Sequence, residues 1–196
     1  MEVTDNFRKH THRNPIQRFL LDNFYKHVFR LLKLVPNGSI LDVGCGEGFT
    51  LHKLQEAHIG KKLEGIEYQE KAIKLGKKQY PDLLIKQGSI YELPYKDSAF
   101  DLVLCTEVLE HMEDPKKALA ELVRVSKKYI LLSVPNEPFF MLAQLLRGKN
   151  WSRLGNDIEH INHWSFLGFQ KFVSEKIKIQ AISIPFFWTI ILGVKT

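Results

Sequence analysis

The chain has 196 residues, enough for one domain with a real core and too few for two ordinary ones. Apolar residues make up 44% and charged residues 26%, which excludes a disordered chain, and two cysteines cannot form a disulfide scaffold, so Cys45 and Cys105 are read as reduced thiols. The formal charge of +6 raises a nucleic-acid partner. The lysines, however, are spread through helix-like segments such as Lys71, Lys74, Lys77 and Lys78, as on a solvated face, and nucleic acid is not expected. The apolar run Ala181 to Val194 contains Pro185 and falls short of the roughly 20 residues that cross a bilayer. The first residues, MEVTDNFRKHTHRN, lack the apolar core of a signal peptide, which makes the cytoplasm the expected compartment.

Asn14-Pro15 starts a helix, and Ile16, Phe19, Leu20, Phe24, Val28, Leu31 and Leu32 follow at helical spacing as its core-facing stripe. Pro36-Asn37-Gly38 ends it. Ser39 to Val43 is apolar without alternation, the pattern of a strand buried on both faces and hence of a parallel sheet. Strand and helix then alternate: helix Thr50 to Ala57, strand Lys62 to Glu67, helix Glu70 to Gln79, strand Leu83 to Gln87, strand Phe100 to Thr106, helix Pro115 to Ser126, strand Tyr129 to Val134. Residues 135–166 break the rhythm. A helix Phe169 to Lys176 and strands Lys178 to Ile184 and Trp188 to Val194 close the chain. Only Pro185-Phe-Phe187 joins these two strands, so the last must run antiparallel. The expected architecture is α/β, one domain over 1–196, with 1–36 as a helical cap and 135–166 as a lid-like insertion.

The first strand runs into Gly44-Cys-Gly-Glu-Gly48 and then a helix. Glycines let backbone turn with positive φ and approach a ligand closely. The dinucleotide fingerprint requires its third glycine where Phe49 stands, and no Gly-Lys-Ser/Thr follows, so the loop suits a ligand without phosphate.

The run Ile40-Leu-Asp-Val-Gly-Cys-Gly-Glu-Gly48 resembles the first motif of class I S-adenosylmethionine-dependent methyltransferases. The resemblance continues in register through Leu63-Glu-Gly-Ile-Glu67, Gln87-Gly-Ser-Ile-Tyr-Glu-Leu-Pro-Tyr95, Phe100-Asp101, Glu107-Val-Leu-Glu-His111, Asp114-Pro115 and Glu121-Leu-Val-Arg-Val125. It points to the broad subgroup that holds many small-molecule methyltransferases. It implies a Rossmann-like, mostly parallel seven-stranded sheet with an antiparallel last strand, helices on both faces, and S-adenosylmethionine as cofactor.

On that resemblance Glu67 accepts hydrogen bonds from both ribose hydroxyls. Gly44, Cys45 and Gly46 lie against the methionine half. Asp42 either holds the loop or meets the cofactor's ammonium group. Tyr68 covers a face of adenine or ribose, Ser89 or the backbone at Ile90 contacts the adenine, and Thr106 lines the same pocket. Ser89 stands where the family often has an acid, and Val125-Ser-Lys-Lys-Tyr129 lacks the usual Pro-Gly-Gly turn.

Glu107, Glu110 and His111 are spaced to share one face of a helix. This E-x-x-E-H pattern resembles ubiquinone-biosynthesis O-methyltransferases and small-RNA terminal 2′-O-methyltransferases, in which a divalent ion contacts substrate hydroxyls. Glu107, Glu110, His111 and His163, with His160 as a further donor, form a candidate Mg²⁺ or Mn²⁺ set; the competing reading needs no metal, with His111 packed beneath the substrate. His111 is also the candidate general base, since methyl transfer otherwise asks mainly for in-line placement and exclusion of water. Phe139, Phe140, Met141, Leu145, Leu146 and Trp151 suit a wall against a hydrophobic or aromatic acceptor, and Arg147, Lys149 and Arg153 an anionic substrate or membrane surface. The expected activity is O-methylation of a small molecule. An RNA 2′-O-methyltransferase and a non-catalytic cofactor-binding module are the alternatives.

Overall fold

The computed structural model describes residues 3–137 and 160–196. Residues 138–159, which carry most of the expected insertion and all of its wall residues, lie outside the described residues.

Helix α1 (Asp5–Thr11) is capped by Thr4, whose hydroxyl accepts from the Phe7 amide at 3.0 Å. It contributes no buried residue, so no apolar periodicity announces it in the sequence. Helix α2 (Pro15–Leu32) starts where expected: the Asn14 carboxamide accepts from the Ile16 and Gln17 amides, and Pro15 occupies the first turn. Its buried stripe is Leu21, Phe24, Tyr25, Val28, Leu31 and Leu32. Ile16 and Phe19 do not belong to that stripe, being 69% and 60% exposed; the Phe19 ring meets the rim of the turn at Phe186.

Seven strands follow: β1 (Ser39–Val43), β2 (Lys62–Glu67), β3 (Ile85–Gln87), β4 (Phe100–Thr106), β5 (Ser126–Pro135), β6 (Ile177–Ser183) and β7 (Trp188–Lys195). They form one sheet in the order β3-β2-β1-β4-β5-β7-β6. The first five are mutually parallel, and β7 is antiparallel to both β5 and β6. This is the architecture expected from the sequence. The alternating helices are α3 (Phe49–Glu56), α4 (Glu70–Gln79), α5 (Pro115–Val125) and α6 (Phe166–Ser174).

Successive strand residues face opposite sides. Leu41, Val43, Val103, Cys105, Ile130 and Leu132 pack with α5 and α6. Ile40, Leu102, Leu104, Leu131, Ile190 and Leu192 pack under α2. Burial on both faces explains the unbroken apolar runs of β1, β4 and β5. Chain direction across the sheet reverses between β1 and β4, and ligands of open α/β sheets bind outside the carboxyl ends of strands at such a switch point. A cleft of about 640 Å³ lined by Lys61, Lys62, Asp101, Lys127 and Lys128 opens at the other, amino ends of the strands, away from that point.

Candidate functional site

The glycine loop leaves β1 with three residues in the left-handed region: Gly44, Gly46 and Gly48 have φ of +74, +55 and +86. The amides of Gly44 and Cys45 both donate to the Ile66 carbonyl, at 2.8 and 3.1 Å, which fastens the loop to β2. The Gly46 amide donates to Glu67 Oε2 at 2.9 Å, and Glu67 Oε1 accepts from the Gln69 amide at 2.7 Å. Loop and acid therefore share one cradle. A carboxylate offers about four lone-pair positions; two are used and two are left open.

Asp42 lies beneath the loop, 1% exposed, and its Oδ2 has no hydrogen-bond partner. Burial, and then the charge of Glu67, push its pKa up to about 7. A buried carboxylate oxygen without a donor is costly, and a cationic ligand group would relieve that cost. The other expected contacts are less uniform. Ile90 is buried, 8% exposed, and Thr106 is half-buried at the tip of β4, whereas Tyr68 is 74% exposed. Ser89 Oγ accepts from the Tyr91 amide at 3.2 Å. The Cys45 side chain packs behind the loop with Leu51, Ile73, Leu83 and Ile85, leaving only its backbone toward a ligand, and burial raises its thiol pKa.

Two parts of the loop's support are not legible as such in the sequence. The Glu47 side chain is fully buried and accepts from Thr4 Oγ1 and, at 2.6 Å, from Asn6 Nδ2, so α1 is clamped over the glycine loop. On the other side Arg124 binds Glu121, donating from Nε at 2.6 Å and Nη2 at 2.8 Å, and donates to the carbonyls of Leu93 and Tyr95 at 3.0 and 2.7 Å. Glu121 Oε2 accepts from the Leu93 amide at 2.8 Å. The motif Glu121-Leu-Val-Arg124 thus fixes the stretch following Ser89 and Ile90.

The segment Glu107 to His111 is not a continuous α-helix. Glu107 has φ +58, and only Leu109–His111 makes a single 3₁₀ turn. Glu107 is turned into the sheet, where Oε1 accepts from Ser133 Oγ at 2.9 Å and Oε2 from Trp188 Nε1 at 2.6 Å. The chain after the insertion is stapled to this turn: the Ile161 and Asn162 amides donate to the Glu110 carbonyl, each at 2.9 Å, and Asn162 Nδ2 donates to the Met112 carbonyl at 2.6 Å. That brings together Glu110, His111 and His160, whose donor atoms lie within 4.8 Å of one another. Glu110 is 1% exposed and its Oε2 has no hydrogen-bond partner; burial, then the neighbouring Glu107 carboxylate, raise its pKa well above the usual carboxylate range. Glu137, also buried, holds His160 Nδ1 at 2.8 Å and lies 3.3 Å from His163 Nδ1. Glu137 orients His160 as an outer carboxylate does for a ligating imidazole. Of the residues singled out by spacing, Glu110, His111 and His160 converge, while Glu107 and His163 face other partners.

Residues 41–131 match the methyltransferase domain family. A demethylmenaquinone methyltransferase of Renibacterium salmoninarum is 34% identical over 93 residues, covering 47% of this chain and 38% of that protein. A probable S-adenosylmethionine-dependent methyltransferase of Mycolicibacterium smegmatis is 30% identical over 113 residues, covering 57% of this chain and 43% of its own length. The chain thus spans less than half the length of these curated relatives. A Pyrococcus horikoshii protein superposes with a TM-score of 0.76 at 16% identity, over 100% of both chains. The magnesium protoporphyrin IX methyltransferase of Synechocystis with bound S-adenosylhomocysteine gives 0.72 at 17%, covering 98% of this chain and 95% of that one. Residues 41–131 are thus similar to methyltransferase domains, and the superposed structures share the fold of the chain.

Gly44 tests the cradle directly. A Cβ there would meet Val108 Cγ2 at 2.4 Å in backbone already at φ +74. The Gly44→Ala variant is expected to lose about 1–3 kcal/mol of stability in urea unfolding. Gly44→Ala with Val108→Ala should recover part of that loss, since the clash is relieved and the backbone strain is not; no recovery would show that the loop does not press on Val108.

Proposed function

We propose that the protein is a cytoplasmic S-adenosylmethionine-dependent methyltransferase acting on the hydroxyl of a small, hydrophobic or aromatic acceptor. The single observation that carries the cofactor half is the shared cradle of the Gly46 amide and the Glu67 carboxylate, 2.9 Å apart at the switch point. Both cysteines are free and buried, as suits a reducing compartment. No helix among the described residues is long and apolar enough to cross a membrane. The small, hydrophobic or aromatic character of the acceptor draws on relatives named demethylmenaquinone methyltransferase and norajmaline N-methyltransferase, and the hydroxyl on the Glu107-x-x-Glu110-His111 resemblance alone.

In this reading Glu67 receives the two ribose hydroxyls, and Gly44, Cys45 and Gly46 present backbone to the methionine half. Asp42 faces its ammonium group. Ile90, with Ser89, borders the adenine, Tyr68 closes over it, and Thr106 at the tip of β4 lines the cofactor pocket. The bound cofactor supplies an activated methyl group on a sulfonium. The residues of this chain have to hold an acceptor oxygen in line with it, exclude water, and take up the acceptor's proton. His111 is the proposed base: it sits beside the tip of β4, with its ring 5.2 Å from that of His160.

A second reading of the same corner, favoured by the unpartnered Oε2 of Glu110, places a divalent ion on Glu110, His111 and His160. One carboxylate and two imidazoles suit Mn²⁺, Co²⁺ or Zn²⁺ better than Mg²⁺, which prefers oxygen donors. Such an ion would lower the pKa of an acceptor hydroxyl.

Titration with S-adenosylmethionine should raise the melting temperature, with about 2.7 kcal/mol of stabilisation at a hundredfold excess over Kd, and Glu67→Ala should abolish most of it. The raised pKa of Asp42 gives the sign of the pH dependence. The ligand-free fold favours protonated Asp42, so it loses stability as pH rises from 3.8 to about 7. An ammonium group favours the carboxylate, so affinity should climb with pH up to about 7 and level off above it, and Asp42→Asn should flatten that climb.

Turnover is read as S-adenosylhomocysteine released across a panel of phenols, catechols, quinols and short RNAs. Product from phenolic acceptors supports the proposal, product from RNA alone moves it to the 2′-O class, and none with any acceptor despite tight cofactor binding indicates a binding module. Treatment with EDTA should abolish turnover and added Mn²⁺ restore it if the ion is used; full turnover after chelation removes the metal and leaves His111 as base.

A further inference from the structure

The spacing of α2 assigns Ile16 and Phe19 to the core, yet both stand in solvent. They do not stand alone. The tip of the β6–β7 hairpin comes alongside, with Ile184 46% and Phe186 53% exposed, and the rings of Phe19 and Phe186 are 6.1 Å apart. Phe19, with Ile16 one helical turn before it, and Phe186 thus form one exposed apolar surface from distant parts of the sequence, with Ile184 exposed on the same hairpin tip.

The backbone makes this surface harder to regard as incidental. Phe186 has φ +49, a region that a bulky side chain enters only under constraint. The turn takes Phe187 inward, packed against the cluster beneath α2, and leaves the Phe186 ring outside. A glycine would satisfy the same turn without strain.

Charge points to the occupant. Arg13, Arg18, Lys26 and Arg30 are exposed on and just before α2, against one acid, Asp22, and no acid occurs from Ser183 to Thr196. Arg30 is fixed at the patch border, donating to Ser183 Oγ at 2.9 Å. Apolar side chains edged by cations complement a leaflet with anionic headgroups, where rings reach the acyl boundary and cations stay with phosphates. The hairpin is also tied to the carboxyl ends of β4 and β5: the Phe187 carbonyl accepts from the Asn136 amide at 2.7 Å, and Trp188 donates to Glu107.

We propose that the face carrying Phe19 and Phe186, with the basic side of α2 around it, docks the protein peripherally on an anionic lipid bilayer. This surface stands apart from the choice of methyl acceptor. For a hydrophobic acceptor it brings the acceptor side of the site to the place where such molecules collect.

The test is sedimentation of the full chain, without cofactor or acceptor, with vesicles of phosphatidylcholine alone and of phosphatidylcholine mixed with phosphatidylglycerol. Retention is expected on the anionic vesicles, weakening as salt is raised. Each of Phe19→Ser and Phe186→Gly should lower the partition coefficient about tenfold, as removal of one partly inserted ring would. Phe186→Gly should melt no lower than the parent, which separates lost docking from lost folding. The proposal is overturned by absence of retention, by equal retention on both vesicle types, or by retention unchanged when both rings are removed. It is also overturned if light scattering finds a dimer that the two substitutions dissolve, which would assign the face to a second copy of the chain. Because no methyl transfer is read, failure here leaves the proposed activity untouched.

Discussion

The hydrogen bond from the Gly46 amide to the Glu67 carboxylate, 2.9 Å long, joins the two strands on which the site is built. It can form only because β1 and β2 are parallel neighbours whose carboxyl ends finish together, Val43 beside Ile66. It also requires the glycine loop to fold back with positive φ, so that an amide that a helix or strand would consume points at the acid. The reversal of direction between β1 and β4 sets the topological switch point beside the pair, the place where ligands of open α/β sheets bind. The carboxylate of Glu67 keeps two lone pairs open, and Asp42 beneath it a buried oxygen without a donor; on the proposed reading these receive paired hydroxyls and a cation.

The surrounding protein holds this junction from three sides. α1 clamps Glu47 through Thr4 and Asn6. Its His10 ring stacks on Phe49 at 4.2 Å, where burial lowers the imidazole pKa to about 3 and keeps it neutral at physiological pH. Arg124 and Glu121 pin the stretch after β3. Asn162 staples the returning chain to the 3₁₀ turn beside β4. Each contact joins residues far apart in sequence, so ordering the site and ordering the fold are one event, and a ligand that binds the ordered site adds to the stability of the whole domain.

Much of this was legible in the sequence, and the reasons are physical. Strands buried on both faces read as unbroken apolar runs, the three-residue connector between β6 and β7 left only an antiparallel strand, and the glycine spacing with an acid at the end of the next strand located the cradle. What escaped is instructive. α1 has no fully buried apolar residue and tucks Phe7 and His10 in only in part, so periodicity could not reveal it. Ile16 and Phe19 follow the helical period of α2 but stay exposed, because spacing tells which face a residue shares and not whether anything lies opposite. Glu107, Glu110 and His111 were spaced for a helix face. The left-handed Glu107 breaks that geometry, and His160 instead of Glu107 joins the other two. Glu137, which orients His160, carried no local signal, since its partner is brought in by the chain after residue 159. The expected wall of the insertion lies outside the described residues.

The most direct measurement is a crystal structure of the protein grown with S-adenosylhomocysteine. The ribose is expected at the tip of β2 with both hydroxyls donating to Glu67, and the amino group of the amino-acid half within reach of Asp42. A nucleoside bound elsewhere, or a cradle still empty at saturating ligand, would contradict this placement.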